Sequence, residues 1–241
     1  MIINNLTDNI IYIENAIPNP KEIVDALNST DGDPVISPVI YPWDKWVDHS
    51  YDDIRGYGQV HRGYIKTVDW DGWIANSAEE WFDKKITPDH SPSHTEAFKI
   101  VKMIEEPLLK VIDVWAEKTN NSVPDFITRN YSIYTYRQGG HVGKHLDIDP
   151  TNPSHTMDWT ILIYLSDDYE GGNINFPDQK VRFRPAAGSA LCFRTMEPHI
   201  AEEVTGGDKY FCFFYLHTEY GLCLSSYDQF WHIVNQVKKS Q

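Results

Sequence analysis

Residues 131–217 read YSIYTYRQGG HVGKHLDIDP TNPSHTMDWT ILIYLSDDYE GGNINFPDQK VRFRPAAGSA LCFRTMEPHI AEEVTGGDKY FCFFYLH. Within this stretch apolar and polar side chains alternate in short runs, the period of a strand with one face buried. The runs are Tyr131–Arg137, Val142–Ile148, Trp159–Leu165, Asn173–Phe176, Lys180–Arg184, Ser189–Arg194, His199–Val204 and Lys209–His217. Gly-containing turns separate several of them, at Gln138-Gly139-Gly140, Glu170-Gly171-Gly172 and Thr205-Gly206-Gly207-Asp208. Short strands spaced in this way predict a sandwich or closed barrel.

Upstream, Ile10–Glu14 reads as a strand. Asn19-Pro20-Lys21-Glu22 then opens a helix, with Asn as N-cap, Pro at N1 and Glu at N3, and Ile23, Ala26 and Leu27 on its apolar face. Ser93-His94-Thr95-Glu96 is a second capping signal. The apolar stripe Ala97, Ile100, Val101, Ile104, Leu108, Val111, Ile112 and Trp115 follows it and predicts the longest helix, which Pro107 should kink or split. Residues 31–92 are hard to read, because Pro, Gly and Asp recur and periodicity is weak. Five of the eight tryptophans fall between Trp43 and Trp81, so this part is expected to fold, wrapping a scaffold or covering a site. Ser226–Lys238 is expected to be a terminal helix, with Phe230, Ile233, Val234 and Val237 inward.

Composition narrows the function classes. The chain has 241 residues with 41% hydrophobic and 13% aromatic content, enough for one domain with a sizeable core. The net charge of −14 and the lack of a Lys/Arg cluster argue against nucleic acid or an anionic membrane as partner. No apolar run approaches the length of a membrane span, and the N-terminus has no basic region of a secretory signal. Cys192, Cys212 and Cys223 lack metal-binding spacing, and two sit in apolar runs, which suits buried reduced thiols in a cytoplasmic protein.

The chemistry lies in His145, Asp147, His199 and Lys209. On a strand, residues i and i+2 share a face, so His145 and Asp147 can grip one ion. His199, at the start of a later strand, supplies a third donor. Two imidazoles and one carboxylate are the ligands of a facial Fe(II) site with open positions. Lys209 shares a face with Phe211, Phe213 and Tyr215, where an ammonium is costly unless an anion pairs with it. The same alternation puts Tyr134 with Tyr136, and Thr160 with Leu162 and Tyr164, so their hydroxyls can join Lys209 around a carboxylate. Fe(II) with one carboxylate ligand, a dicarboxylate and Lys209 sum to neutrality. Asp149 is a rival ligand. His141 and His155 read as loop histidines, and Arg137, Arg182, Arg184 and Arg194 as surface charges or substrate-orienting groups.

Tyr136…His145-Leu-Asp147…Thr160-Ile-Leu-Ile-Tyr164-Leu…Glu170-Gly-Gly-Asn…Pro185-x-x-Gly188-Ser-Ala-Leu…Pro198-His199…Gly207-x-Lys209-Tyr resembles the catalytic core of the prolyl 4-hydroxylase-like branch of Fe(II)/2-oxoglutarate-dependent oxygenases. The resemblance implies a mainly β, α+β fold: a double-stranded β-helix (jelly-roll) core packed on N-terminal helices. It implies Fe(II) on His145, Asp147 and His199 as the catalytic metal site, with 2-oxoglutarate as cosubstrate and O2 as oxidant. Lys209, Tyr136, Tyr164 and Thr160 are the residues expected to bind 2-oxoglutarate. Many members carry Tyr where this chain has Val142.

One oxygenase domain, 1–241, is expected: helical or irregular support with a candidate substrate lid in 1–127, the catalytic core in 128–218 and a C-terminal helix in 219–241. The expected reaction is hydroxylation of prolyl residues in a peptide or protein. Asp147 occupies the position a halide would need, which favours hydroxylation over halogenation. Another protein side chain or a small metabolite is the alternative substrate. The acidic balance weighs against alkylated-base repair, and the intact ligand set with Lys209 weighs against a non-catalytic metal-binding β-barrel.

Overall fold

A computed structural model describes residues 1–29, 46–52, 58–69, 92–127, 130–148 and 157–225. The strands are β1 (Ile2–Thr7), β2 (Ile10–Glu14), β3 (Trp46–Asp52), β4 (Gly58–Asp69), β5 (Phe126–Ile127), β6 (Asn130–Tyr136), β7 (Val142–His145) and β8 (Trp159–Tyr164), followed by β9 (Glu170–Gly171), β10 (Ile174–Phe176), β11 (Val181–Phe183), β12 (Ala190–Arg194), β13 (His199–Ala201), β14 (Val204–Gly206), β15 (Lys209–His217) and β16 (Leu222–Ser225). Among the described residues, the helices α1 (Pro20–Ser29) and α2 (Pro92–Thr119) precede β5.

The strands run β1-β2-β12-β8-β15-β6-β4-β7-β13-β10-β11. The core segment crosses between two groups: β6, β8, β12 and β15 form one wall, and β7, β10, β11 and β13 the other. This is a double-stranded β-helix. β4 joins the walls, pairing with β6 from Tyr64↔Thr135 to Asp69↔Asn130 and with β7 at His61↔Val142.

Strand alternation sorts the side chains into two cores. From β8, Trp159, Ile161 and Ile163 face the helices, while Tyr164 faces the barrel interior. From β15, Tyr210, Cys212, Phe214 and Leu216 face the helices, while Phe211 faces inward. Ile104, Leu108, Val111, Ile112 and Trp115 of α2 are fully buried on the outer wall, and the Trp115 and Trp159 rings meet edge to face at 6.1 Å. All three cysteines are buried, and none forms a disulfide among the described residues.

The expected split of the long helix at Pro107 does not occur, since α2 runs unbroken across it. An interior proline costs about 3 kcal/mol. Each large apolar side chain buried from this helix returns about 1.5–3 kcal/mol, so the stripe outweighs the lost backbone bond. Strands β1 to β4 extend the barrel walls. Leu222–Ser225, expected in a C-terminal helical region, pairs with β15 and β5 instead. The expected helix at Ser226–Lys238, and Trp43, Trp70, Trp73 and Trp81, lie outside the described residues.

Turn geometry shapes the β11–β12 connection. Gly188 has φ +74°, and a Cβ there would sit 2.5 Å from the Ile17 carbonyl oxygen, which only glycine avoids. This close approach lets Ile17 N donate to Gly188 O at 2.9 Å, docking the β2–α1 connection on the barrel.

Candidate active site

β7 and β13 pair in a register that puts His145 directly opposite His199. Their rings lie 4.1 Å apart, centroid to centroid. Each Nδ1 bonds a backbone carbonyl two residues back: His145 to Gly143 O at 2.8 Å and His199 to Glu197 O at 3.0 Å. A carbonyl only accepts, so Nδ1 carries the proton in both rings and Nε2 keeps its lone pair. The Phe193 and Phe176 rings pack beside His199 at 4.7 and 5.6 Å.

Asp147 arrives by a different route from the one its spacing suggested. β7 ends at His145, so Asp147 is not on the same strand. Its N–H donates to Thr195 O at 3.1 Å, and its Oδ2 accepts from Thr160 Oγ1 at 2.5 Å. Oδ1 then faces His145 Nε2 at 3.5 Å and His199 Nε2 at 3.7 Å. One donor atom from each of the three residues lies within 4.8 Å of the others. Burial pushes the Asp147 carboxyl up, but His199, His145 and the Thr160 hydroxyl outweigh it and hold the group at about 2. Burial, reinforced by His145, lowers His199 to about 4 against the pull of Asp147 and the Glu197 carbonyl. At neutral pH the set offers one carboxylate and a neutral His199, which fits a divalent metal ion.

Deeper in the barrel Lys209 is 2% exposed, and its Nζ donates to Gly172 O at 2.6 Å. The ammonium lies 5.5, 5.7 and 5.9 Å from the Tyr164, Tyr169 and Phe211 ring centroids. Burial lowers it from 10.5 to about 7, with Glu202 opposing. The Tyr164 and Tyr169 hydroxyls are buried with no hydrogen-bond partner among the described residues. Burial, with the neighbouring phenols and Asp147, keeps the Tyr164 phenol well above its usual range, so it remains a donor. Tyr136 is likewise buried and raised, and sits opposite Lys209 in the β6–β15 register. A buried cation beside two unused phenolic donors is the complement of an anion. Gly172 shapes this corner: its φ is +61°, and a Cβ there would meet the Tyr169 ring at 2.8 Å.

The fold thus gathers His145, Asp147 and His199 at one point, and Lys209, Tyr136 and Tyr164 in the same interior. Thr160 is on the inner face, but its hydroxyl is engaged by Asp147. Tyr169 and Glu197 were not singled out in the sequence, although Tyr169 directly precedes the Glu170-Gly-Gly turn. His141 bonds Gly139 O at 2.8 Å in its own loop. Arg182 pairs with Glu202 at 2.7 Å, Arg184 donates to Tyr169 O at 2.9 Å, Arg194 covers the outer Trp159 ring at 4.5 Å, and Arg137 lies 3.9 Å from Asp208. Asp149 and His155 lie outside the described residues.

Residues 131–217 match the sequence model of the 2OG-Fe(II) oxygenase superfamily. That superfamily uses Fe(II) as cofactor with 2-oxoglutarate and O2 as cosubstrates, and the His-Asp-His set suits the metal. No curated protein matches the chain. Among solved structures it is similar to a prolyl hydroxylase from Trichoplax adhaerens in complex with a hypoxia inducible factor oxygen degradation domain peptide fragment (15% identity over 90% of this chain and 87% of that one, TM-score 0.49). It is also similar to a prolyl-4-hydroxylase from Pseudomonas putida (14%, 88% and 94%, 0.45) and to a viral collagen prolyl hydroxylase from Paramecium Bursaria Chlorella virus-1 (18%, 48% and 72%, 0.38).

Proposed function

We propose that this protein is an Fe(II)- and 2-oxoglutarate-dependent dioxygenase that hydroxylates prolyl residues in a peptide or protein. The observation that carries the oxygenase reading is the pairing, inside one barrel, of a three-donor metal set with a buried Lys209 that faces unused phenolic donors. His145 Nε2, His199 Nε2 and Asp147 Oδ1 would hold the metal, and Thr160 Oγ1 and the Thr195 carbonyl keep Asp147 turned toward that point. Lys209, with Tyr164 and Tyr136 beside it, receives the far carboxylate of 2-oxoglutarate. Bound iron supplies O2 activation, coupled to oxidative decarboxylation of 2-oxoglutarate to succinate and CO2. The chain's own part is to orient both partners and to keep water away, through the Phe176, Phe193 and Phe211 side chains that line the interior.

The prolyl substrate is supported by the resemblance of the 128–218 core to the prolyl 4-hydroxylase-like branch. Extended proline-rich segments are also preordered, so capturing one costs little conformational entropy. Proline-rich peptides should raise succinate formation above the peptide-free rate and gain one oxygen atom. Mass spectrometry of peptides with prolines replaced one at a time locates the product. A mass gain on another residue type or on a small metabolite, with none on proline peptides, would leave the oxygenase reading standing and remove the prolyl one.

A further inference from the structure

The hairpin β1–β2 lies outside residues 131–217, yet it reaches the turn that delivers His199. Arg194 N donates to Asn9 O at 3.1 Å, and Asn9 Nδ2 donates to Glu197 Oε1 at 2.6 Å. From the turn between β10 and β11, Gln179 Nε2 donates to Glu197 Oε2 at 3.0 Å. Glu197 N closes its own turn on Arg194 O at 2.9 Å, and Glu197 O accepts from His199 Nδ1 at 3.0 Å. Glu197 is 8% exposed. Both carboxylate oxygens are therefore met by neutral amides, and no described cationic side chain lies within ion-pair reach.

A buried carboxylate without a counter-ion is an expensive way to fasten a turn, because its desolvation is offset only by hydrogen bonds. What this one fastens is the peptide whose carbonyl sets the His199 tautomer. We infer that Glu197 is a positioning residue for His199, and that the N-terminal hairpin, through Asn9, is part of the support of the metal site. The clamp from Asn9 and Gln179 fixes the Glu197 backbone. Its carbonyl keeps the proton on Nδ1, and the Nε2 lone pair points at Asp147 and His145. Partners of this kind orient ligands without touching the metal. The inference rests on His199 being a metal ligand.

The test uses metal-free protein carrying ¹⁵N-histidine, with the His199 signals assigned from their loss in His199→Asn. Wild type should show one tautomer, protonated at Nδ1. Glu197→Ala should show a mixture of tautomers, and its Co(II) affinity, read by titration of the visible spectrum, should fall about ten- to a hundredfold. Glu197→Gln keeps the side-chain size and an acceptor oxygen, so it should recover most of that loss. If Glu197→Ala does not fold, the pair Asn9→Ala with Gln179→Ala removes both clamping donors and carries the same expectation. An unmixed Nδ1 tautomer and wild-type Co(II) affinity in the folded variants overturn the inference, because a role confined to stability moves neither readout. His199→Ala distinguishes the underlying reading: if it binds Co(II) as tightly as wild type, His199 is not a ligand.

Discussion

Replacing Lys209 by methionine removes the ammonium and keeps an unbranched stem to pack against Tyr164, Tyr169 and Phe211. Two effects of opposite sign should follow. In the ligand-free fold the ammonium is lowered from 10.5 to about 7 by burial. An unfolded chain binds that proton more tightly between these values, so folding stability rises with pH across the window. The cost is present in full below about pH 7 and gone above 10.5. At pH 7 it amounts to about 4 kcal/mol. Methionine relieves this cost but leaves Gly172 O without its donor, a loss of about 1–3 kcal/mol. The variant should therefore be about 1–3 kcal/mol more stable than wild type at pH 7, with the advantage shrinking toward pH 10. Its affinity for 2-oxoglutarate should fall by about 2–5 kcal/mol, or roughly thirty- to several-thousandfold, since one partner of a buried charge pair is gone. Denaturant melts at pH 7 and 10, with calorimetric titration of 2-oxoglutarate into Co(II)-loaded protein, read both effects. A variant no more stable than wild type that still binds 2-oxoglutarate normally would refute the reasoning.

His145→Ala, Asp147→Ala and His199→Ala should each lose high-affinity Co(II) binding in a spectroscopic titration, while circular dichroism shows the fold retained by its apolar wall faces. Thr160→Val removes the hydroxyl that turns Asp147 and should weaken metal binding by about tenfold or more, with little change in thermal stability. Gly171→Ala would bring a Cβ to 2.4 Å from the Glu203 carbonyl at a φ of +68°, and should cost at least about 2 kcal/mol in a denaturant melt. In wild type, 2-oxoglutarate affinity should fall as pH rises above about 7, because Lys209 must be protonated to hold the anion.

Much of the barrel was legible because its strands bury one face against helices and the other against the interior. β15 begins and ends where the alternation from Lys209 to His217 does. The metal set was legible as residue types, but its spacing misdescribed how Asp147 arrives, since a strand end and a Thr160 hydrogen bond place it. β1 was missed because an edge strand with Asn4 and Asn5 at its centre buries too little to alternate. β4 was missed because its place depends on pairing with β6 and β7, distant in sequence. The Glu197 clamp joins three turns remote in the chain, and no local pattern announces it.

The proposed chemistry requires one barrel interior to hold the metal at one point and the cosubstrate's far carboxylate at another. An anaerobic crystal structure with Fe(II) and 2-oxoglutarate measures both. It should show iron bound by His145 Nε2, Asp147 Oδ1 and His199 Nε2, and the distal carboxylate of 2-oxoglutarate on Lys209 Nζ within about 3 Å. Iron on any other residues, or a distal carboxylate held away from Lys209, would contradict it.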